Sequence, residues 1–313
     1  MSWSPPMKRI LPLAIVFALV GCAERATQAP VPAAASDQPA TTTPPQPAAA
    51  PQSRLDAALA GAWRSAENKA RDAYRHPAQT LAFFDVKDGA TVVEITPGGG
   101  WYAEILAPML KDNGNYVAAI PLDASSDYAK RGNERLRAKF AAAPDQFGAA
   151  KFAEFDPKAP DLGMEGAADV VLTFRNVHNW TGNGTAPGLF EAFFRVLKPG
   201  GVLGVVEHRA APGKDLESIK DSGYLPTDYV IKLATDAGFT LAGQSEINAN
   251  PKDTKDYPEG VWTLPPSLAL KEVDREKYLA IGESDRMTLK FVKPAGDKIF
   301  KQSNDSGLAG EKK

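Results

Sequence analysis

Residues 91–110 read TVVEITPGGGWYAEILAPML, and this stretch decides the fold. Thr91 to Ile95 is an apolar run carrying one acid, Glu94, which is the pattern of a buried strand. Pro97 and three consecutive glycines, Gly98, Gly99 and Gly100, then break it. From Trp101 to Leu110 the apolar residues recur at helical spacing. A buried strand, a glycine turn and a helix start, in that order, make a nucleotide-type ligand site. Glycine lets the backbone approach a ligand closely and tolerates positive φ. The helix start adds unpaired N–H groups and the positive end of a dipole. The segment does not supply the dinucleotide fingerprint G-x-G-x-x-G.

Working outward, the pattern continues on both sides. Tyr116 to Ile120 and Lys151 to Phe155 read as strands, separated by a charged helix from Asp127 to Ala142. Asp169 to Phe174 is a buried strand opening into a polar loop, Arg175 to Trp180. Phe190 to Arg195 is helical and is stopped by Pro199-Gly200-Gly201, after which Val202 to Glu207 forms the next strand. Thr227 to Ala237 reads as a helix, and Phe239 to Ile247 and Met287 to Val292 as the last two strands. Ahead of all these, Leu55, Ala58, Leu59, Ala62, Trp63 and Ala66 predict one amphipathic helix over Arg54 to Tyr74. Strands alternating with helices predict an α/β domain with a parallel, doubly wound sheet. Ligands of such sheets bind outside the strand carboxyl ends, where strand order reverses. Residues 248–284, proline-rich and carrying Trp262, interrupt the last two strands. A connection this long reads as a wall or lid of the substrate site, or else as a surface excursion packed for stability.

The string from Glu94 to Gly100 resembles the first motif of class I S-adenosylmethionine (SAM)-dependent methyltransferases, an acid followed by G-x-G-x-G, with Thr96 at the first glycine's place. Arg195 to Gly201, RVLKPGG, resembles the approach to the fifth strand of that fold. Phe174 to Val177 is similar to a string of the ubiquinone and menaquinone C-methyltransferases. The strings PGGGWY, FRNVHNW, EINANPKDT and GVWTLPP resemble a group of bacterial predicted methyltransferases. The resemblance covers Ala57 to Lys293. It implies a Rossmann-like methyltransferase sheet of seven strands, the last antiparallel, with helices on both faces. It also implies SAM as cofactor and a small molecule as acceptor.

The resemblance further implies roles for single residues. Thr96, Pro97, Gly98, Gly99 and Gly100 would approach the amino-acid end of the cofactor, with Glu94 organising the turn. A ribose-binding acid normally ends the second strand, but here Ile120 or Pro121 holds that place and the nearest acid is Asp123. Asp156, after the third strand, fits the adenine contact. Both aspartates fit solvated loop positions equally well. Arg175 and Asn176 follow the fourth strand on the cofactor edge. His178 is the candidate general base, since an imidazole titrates near neutrality; a ring that caps the loop through a backbone hydrogen bond is the alternative. Glu207 and His208 end the fifth strand as further catalytic candidates. Tyr102, Arg75, His76, Trp180, Asn248, Asn250 and Trp262 are expected at the substrate. Arg75 and His76 would otherwise only terminate a helix, where a cation suits the dipole. His76, His178 and His208 lie in segments without ligand spacing, so no metal site is expected. The Asn/Asp-Pro-Pro-aromatic string of amino-group methyltransferases does not occur, which favours oxygen or carbon over nitrogen as acceptor.

Lys8 and Arg9 precede an apolar run from Ile10 to Val20 that is shorter than the roughly 20 residues a bilayer needs. Residues 1–21 therefore read as a secretory signal peptide. Leu19-Val20-Gly21-Cys22 resembles the bacterial lipoprotein cleavage box. That implies acylation of Cys22, a lipid anchor and a body facing the periplasm, with Ala23 favouring the outer membrane over the inner. Cys22 is the single cysteine, so no intrachain disulfide and no cysteine-based metal site can form. Residues 22–53, rich in Ala, Pro, Thr and Gln, predict a disordered tether, and 301–313 a disordered tail. The remaining 54–300 has one domain's length. A hydrophobic content of 43% supports a core, and a net charge of −2 without a dense basic run argues against nucleic acid as partner. Two functions are compatible with this reading. One is a SAM-dependent methyltransferase of small molecules. The other is an envelope lipoprotein of the same fold that binds a small ligand without catalysis, favoured by Thr96, by the second-strand departure and by the cytoplasmic origin of SAM. Fold alone does not choose between them.

Overall fold

Strand β1 (Thr91–Ile95) is buried on both of its faces, and the architecture follows from that. In the computed structural model, which describes residues 53–296, Val92 packs in one cluster with Leu106, Ala118 and Val170. Val93 and Ile95 pack in another with Val117, Phe190 and Leu203. Successive side chains of a strand point to opposite faces, so such a strand needs helices on both sides of its sheet. The sheet is completed by β2 (Asn115–Pro121), β3 (Lys151–Phe155), β4 (Ala168–Phe174), β5 (Leu197–His208), β6 (Thr240–Ser245) and β7 (Arg286–Val292). Their order is β3-β2-β1-β4-β5-β7-β6. The first five strands run parallel, and β7 lies antiparallel between β5 and β6. This is the doubly wound, seven-stranded α/β sheet with an antiparallel last strand that the sequence led us to expect.

Two features of this topology position the site. Strand order reverses between β1 and β4, so a cleft opens at their carboxyl ends. Antiparallel pairing also sets His208 opposite Arg286 and Glu207 opposite Met287. The residues just ahead of β7, Glu283 and Ser284, are thereby delivered to the same edge.

Strand β3 and the helix Asp127–Ala142 have the bounds predicted for them, the helix being capped by Ser126 Oγ, which accepts from the Ala129 N–H at 3.0 Å. Elsewhere local chemistry overrode the pattern. The single helix expected over 54–74 is three pieces, Arg54–Ala60, Ala66–Ala70 and Asp72–Arg75, followed by an unforeseen helix Pro77–Phe83. Gly61 ends the first piece, where a Cβ would lie 2.3 Å from the Trp63 ring. Ser65 caps the second, accepting from the Asn68 N–H at 3.1 Å. His76 turns at φ 41° ahead of Pro77. Residues 175–180, read as a loop, contain most of a short helix, Val177–Gly182. The segment 248–284 is tied to the domain at its root, for Asn248 Nδ2 donates to Thr80 Oγ1 at 3.1 Å and to Thr288 Oγ1 at 3.0 Å. It carries a 3-10 turn, Gly260–Thr263, and a helix, Arg275–Ile281. No helix among the described residues is long and apolar enough to cross a membrane. The signal peptide, Cys22, the tether up to residue 52 and the tail 301–313 lie outside the described residues.

Candidate active site

A cleft of about 1090 Å³ lies along the carboxyl edge of the sheet. Its first half is built on the turn after β1. Thr96 donates its N–H to the Ala119 carbonyl at 2.8 Å, and the chain then turns with Thr96 at φ 51°, Gly98 at 59° and Gly100 at 78°. Glycine adopts this left-handed backbone freely, whereas a β-branched residue there is strained by about 1–2 kcal/mol. Asn176 holds the strained residue, its Nδ2 donating to the carbonyls of Ile95 at 3.0 Å and Thr96 at 3.3 Å. Thr96 Oγ1 is buried without a hydrogen-bond partner. A Cβ built on Gly98 or Gly99 would meet nothing within 4 Å, so the turn is open to a ligand; on Gly100 it would strike Leu136 at 2.8 Å. Thr96, Pro97, Gly98 and Gly99 line the cleft, while Gly100 serves packing.

Three acids were expected near this half, and they differ in placement. Glu94 is buried under the turn and accepts from the Tyr116 hydroxyl at 2.6 Å. Burial pushes its pKa up to about 7, against the opposing pull of that hydroxyl and of Arg75. Asp123 is not among the residues lining the cleft: its carboxylate accepts from Asn133 Nδ2 at 2.7 Å and from Arg137 at 3.1 Å, and these partners hold its pKa below the ordinary value. Ile120, Pro121 and Leu122 line the cleft in its place. Asp156 does line it, one oxygen accepting from the Lys158 N–H at 2.9 Å.

The second half gathers residues that are far apart in sequence. His178, on the short helix after β4, shares its Nδ1 with Glu207 Oε1 at 2.9 Å, and Glu207 also accepts from the His178 N–H at 3.3 Å and the His208 N–H at 2.8 Å. The ring partner is thus a carboxylate, not a backbone group. A buried carboxylate at Nδ1 keeps the proton there and leaves Nε2 as the basic nitrogen. His208 shares its Nδ1 with Ser284 Oγ at 2.6 Å, and its pKa is held well below the ordinary value by burial and then by His178 and three arginines. Trp262 presents to His178 in an edge-on arrangement, ring centroids 6.0 Å apart, and Trp180 also lines the cleft.

Beside this pair sits a cluster of guanidinium groups around one carboxylate. Glu283 contacts Arg71 at 2.6 Å, Arg75 at 3.1 Å and Arg286 at 3.0 Å. Burial alone would raise the Glu283 pKa, but Arg75, Arg286, Arg71 and Arg175 together bring it down to about 2. Arg75 lies over the Trp101 ring at 4.6 Å. Arg175, at φ 61°, lines the cleft and has no side-chain hydrogen bond or ion pair among the described residues.

Of the residues expected at the substrate, Arg75, Trp180 and Trp262 line the cleft. The others have structural tasks. Tyr102 is stacked on Phe174 at 3.6 Å and its hydroxyl, pushed up to about 12 chiefly by burial, reaches the Arg75 carbonyl at 3.4 Å. Asn248 ties its segment to Thr80 and Thr288, and Asn250 Nδ2 donates to the carbonyls of Ile281 at 2.9 Å and Glu283 at 2.7 Å. His76 forms the left-handed joint between two helices. No metal site was expected, yet ligand atoms of His178, Glu207 and His208 lie within 4.8 Å of one another. Both Nδ1 atoms are already engaged, and the adjoining guanidinium groups disfavour a dication. Arg71, Trp101, Glu283, Ser284 and Arg286 escaped the sequence reading. Arg71 and Arg75 at i, i+4, and the charged string Glu283 to Arg286 ahead of an apolar strand, were the available signals.

No family model matches this chain, and no curated protein does. Among solved structures, a SAM-dependent methyltransferase from Aquifex aeolicus aligns over 72% of this chain and 93% of its own, at 14% identity and a TM-score of 0.48. An arsenic(III) S-adenosylmethionine methyltransferase from Chlamydomonas reinhardtii covers 78% of this chain and 74% of its own, at 17% identity and TM-score 0.45. The [4+2]-cyclase SpnF covers 72% and 82%, at 19% identity and TM-score 0.47. Likenesses at this level concern the course of the backbone and assign no chemistry to this chain.

Proposed function

We propose that this protein is a SAM-dependent methyltransferase of small molecules, acting at oxygen or carbon. One observation carries the reading. An open glycine turn at the switch point of the sheet and a carboxylate-anchored histidine share one cleft. The turn from Thr96 to Gly99 fits the amino-acid end of the cofactor, since its backbone is unobstructed and Thr96 Oγ1 is unpartnered there. Ile120, Pro121 and Leu122 line the cleft where they would give the ribose and adenine apolar contacts, and Asp156 would give a polar one. SAM, when bound, supplies an electrophilic methyl group. His178 takes the acceptor's proton at Nε2, and Glu207 stabilises the imidazolium so formed.

The test is acceptor-dependent formation of S-adenosylhomocysteine (SAH) with a panel of phenols, enols and carboxylic acids. Turnover that His178→Ala suppresses supports the proposal. SAH binding without turnover on any acceptor would instead favour the second reading, a binding protein of this fold. The engagement of Asp123 by Asn133 and Arg137 is the observation on that side. We further propose that Cys22 anchors the body to the envelope membrane. Cys22→Ser should then leave an uncleaved chain without labelled fatty acid, and normal labelling would refute the anchor.

A further inference from the structure

We propose that Arg71, Arg75 and Arg175 form a subsite for an anionic group, a carboxylate or a phosphate, carried by the acceptor. The inference rests on the methyl-transfer reading for the word acceptor, but its physical basis is separate. Three guanidinium groups, those of Arg71, Arg75 and Arg175, line this corner of the cleft, and that of Arg286 adjoins them at Glu283. The carboxylates near them are Glu283, Glu207 and Glu94. Among these groups positive charge is in excess even with all three acids ionised. Burying charge without a partner is costly, and native proteins pair what they bury.

The pairing here is incomplete in a specific way. The Arg75 side chain is 3% exposed and its Nη2 has no hydrogen-bond partner. Arg71 Nη2 is likewise buried and unpartnered, its Nε having been taken by Glu283. Arg175 is without any side-chain partner among the described residues, and all three arginines line the cleft. Planar guanidinium forks match carboxylate and phosphate oxygens in geometry as well as charge. Burial, and then the neighbouring Arg175, lower the pKa of Arg75 to about 9, a penalty that a bound anion would relieve.

Position assigns the anion to the acceptor. Arg175 follows β4, and Glu283 and Arg286 stand at the start of β7, all on the side of the switch point away from β2 and β3. The residues that fit ribose and adenine, Ile120 to Leu122 and Asp156, follow β2 and β3. His178 lies within the arginine half, so an anchored anionic group would hold the rest of a small acceptor beside the candidate base. The same excess of positive charge is why a divalent metal at His178, Glu207 and His208 is the weaker reading of this corner.

The experiment is calorimetric titration of inorganic phosphate into the full chain, alone and at saturating SAH, for the wild type, Arg175→Gln and Arg175→Lys. Arg175 has no side-chain partner to lose, so both variants should keep the wild-type melting temperature. We expect phosphate to bind, to bind about tenfold more weakly to Arg175→Gln, which is about 1.4 kcal/mol, and to be largely retained by Arg175→Lys. SAH should leave these values unchanged. No phosphate binding, or equal binding by wild type and Arg175→Gln, would overturn the subsite. Competition by SAH would also overturn it, since the arginines would then belong to the cofactor's own carboxylate. If SAH does not bind but phosphate binding remains sensitive to Arg175→Gln, the anion subsite stands and the methyl-transfer reading falls.

Discussion

Glu94 and Glu283 are both buried carboxylates at the carboxyl edge of one sheet, and their surroundings drive them in opposite directions. Glu94 has a tyrosine hydroxyl as its one hydrogen-bond partner among the described residues, and burial pushes its pKa up to about 7. Glu283 has three guanidinium partners, and against the opposing effect of burial the surrounding arginines bring its pKa down to about 2. The two acids mark the two halves of the cleft. The half under β1 and β2 presents backbone, glycine and apolar side chains, with Arg135, Asp156 and Lys158 at its margin. The half under β4, β5 and β7 is dense with paired and partly paired charge. A sulfonium cofactor such as SAM, with adenine as its one aromatic ring, suits the first half, and an anionic acceptor suits the second.

The contrast can be broken by removing each carboxylate in turn. Glu283→Gln takes the counter-charge from among three guanidinium groups and should cost about 3–5 kcal/mol, read as a lower urea midpoint with unchanged slope. A change within half a kcal/mol would mean that the cluster is solvated and the two halves are electrically alike. His178→Ala is comparable in energy but acts on chemistry. It should lower turnover by about 10²–10⁴-fold while leaving SAH affinity near the wild-type value. Loss of both together would place His178 in the cofactor half.

Glu94→Gln is subtler and depends on pH. A carboxyl raised from 4.5 to about 7 binds a proton in the folded state that the unfolded chain has already released. Wild-type stability should therefore fall as pH rises from 4.5 towards 7 through this group and level off above, and the variant should lack that part of the slope. Glu283 has the reverse sign, its contribution being complete above 4.5 and lost as pH falls through about 2. Melting curves between pH 4 and 8 separate the two, and a slope that persists in Glu94→Gln would assign it elsewhere. The smallest effect is at the turn. Thr96→Gly relieves a left-handed β-branched residue and should stabilise by about 1 kcal/mol, a rise in Tm of about 2–4 °C. A lower Tm would show that the Thr96 side chain contributes more than its backbone strain costs.

The same division explains what the sequence made legible. Thr91 to Gly100 is a local motif, and strand, turn and ligand-facing glycines could all be read from ten consecutive residues. The bounds of β3 and of the helix Asp127–Ala142 were readable for the same reason, since alternation, periodicity and the Ser126 cap are near-neighbour signals. The second half is assembled from residues 71–75, 175–178, 207–208 and 283–286, and only the antiparallel placement of β7 brings the last of these to the cleft. No spacing rule reports such a meeting. His178, Glu207 and His208 were proposed singly from their place at strand ends, and Arg75 from the end of a helix, but Ser284, the partner of His208, and Glu283, the partner of Arg75, were not. Asp123 shows the converse limit: it stands near the expected place along the chain, yet its carboxylate is taken by Asn133 and Arg137, about two and three turns into the following helix. Asn248 and Asn250 sat in a motif that read as functional and instead tie down the segment that carries Trp262.

The most direct test of the whole account is calorimetric titration of SAH into the full chain, with Gly99→Val as control. A Cβ at Gly99 meets nothing within 4 Å, so valine there projects into the cleft without disturbing the fold. The account predicts saturable SAH binding by the wild type and none by Gly99→Val at an unchanged melting temperature. Absence of SAH binding by the wild type, or equal binding by both proteins, would contradict it.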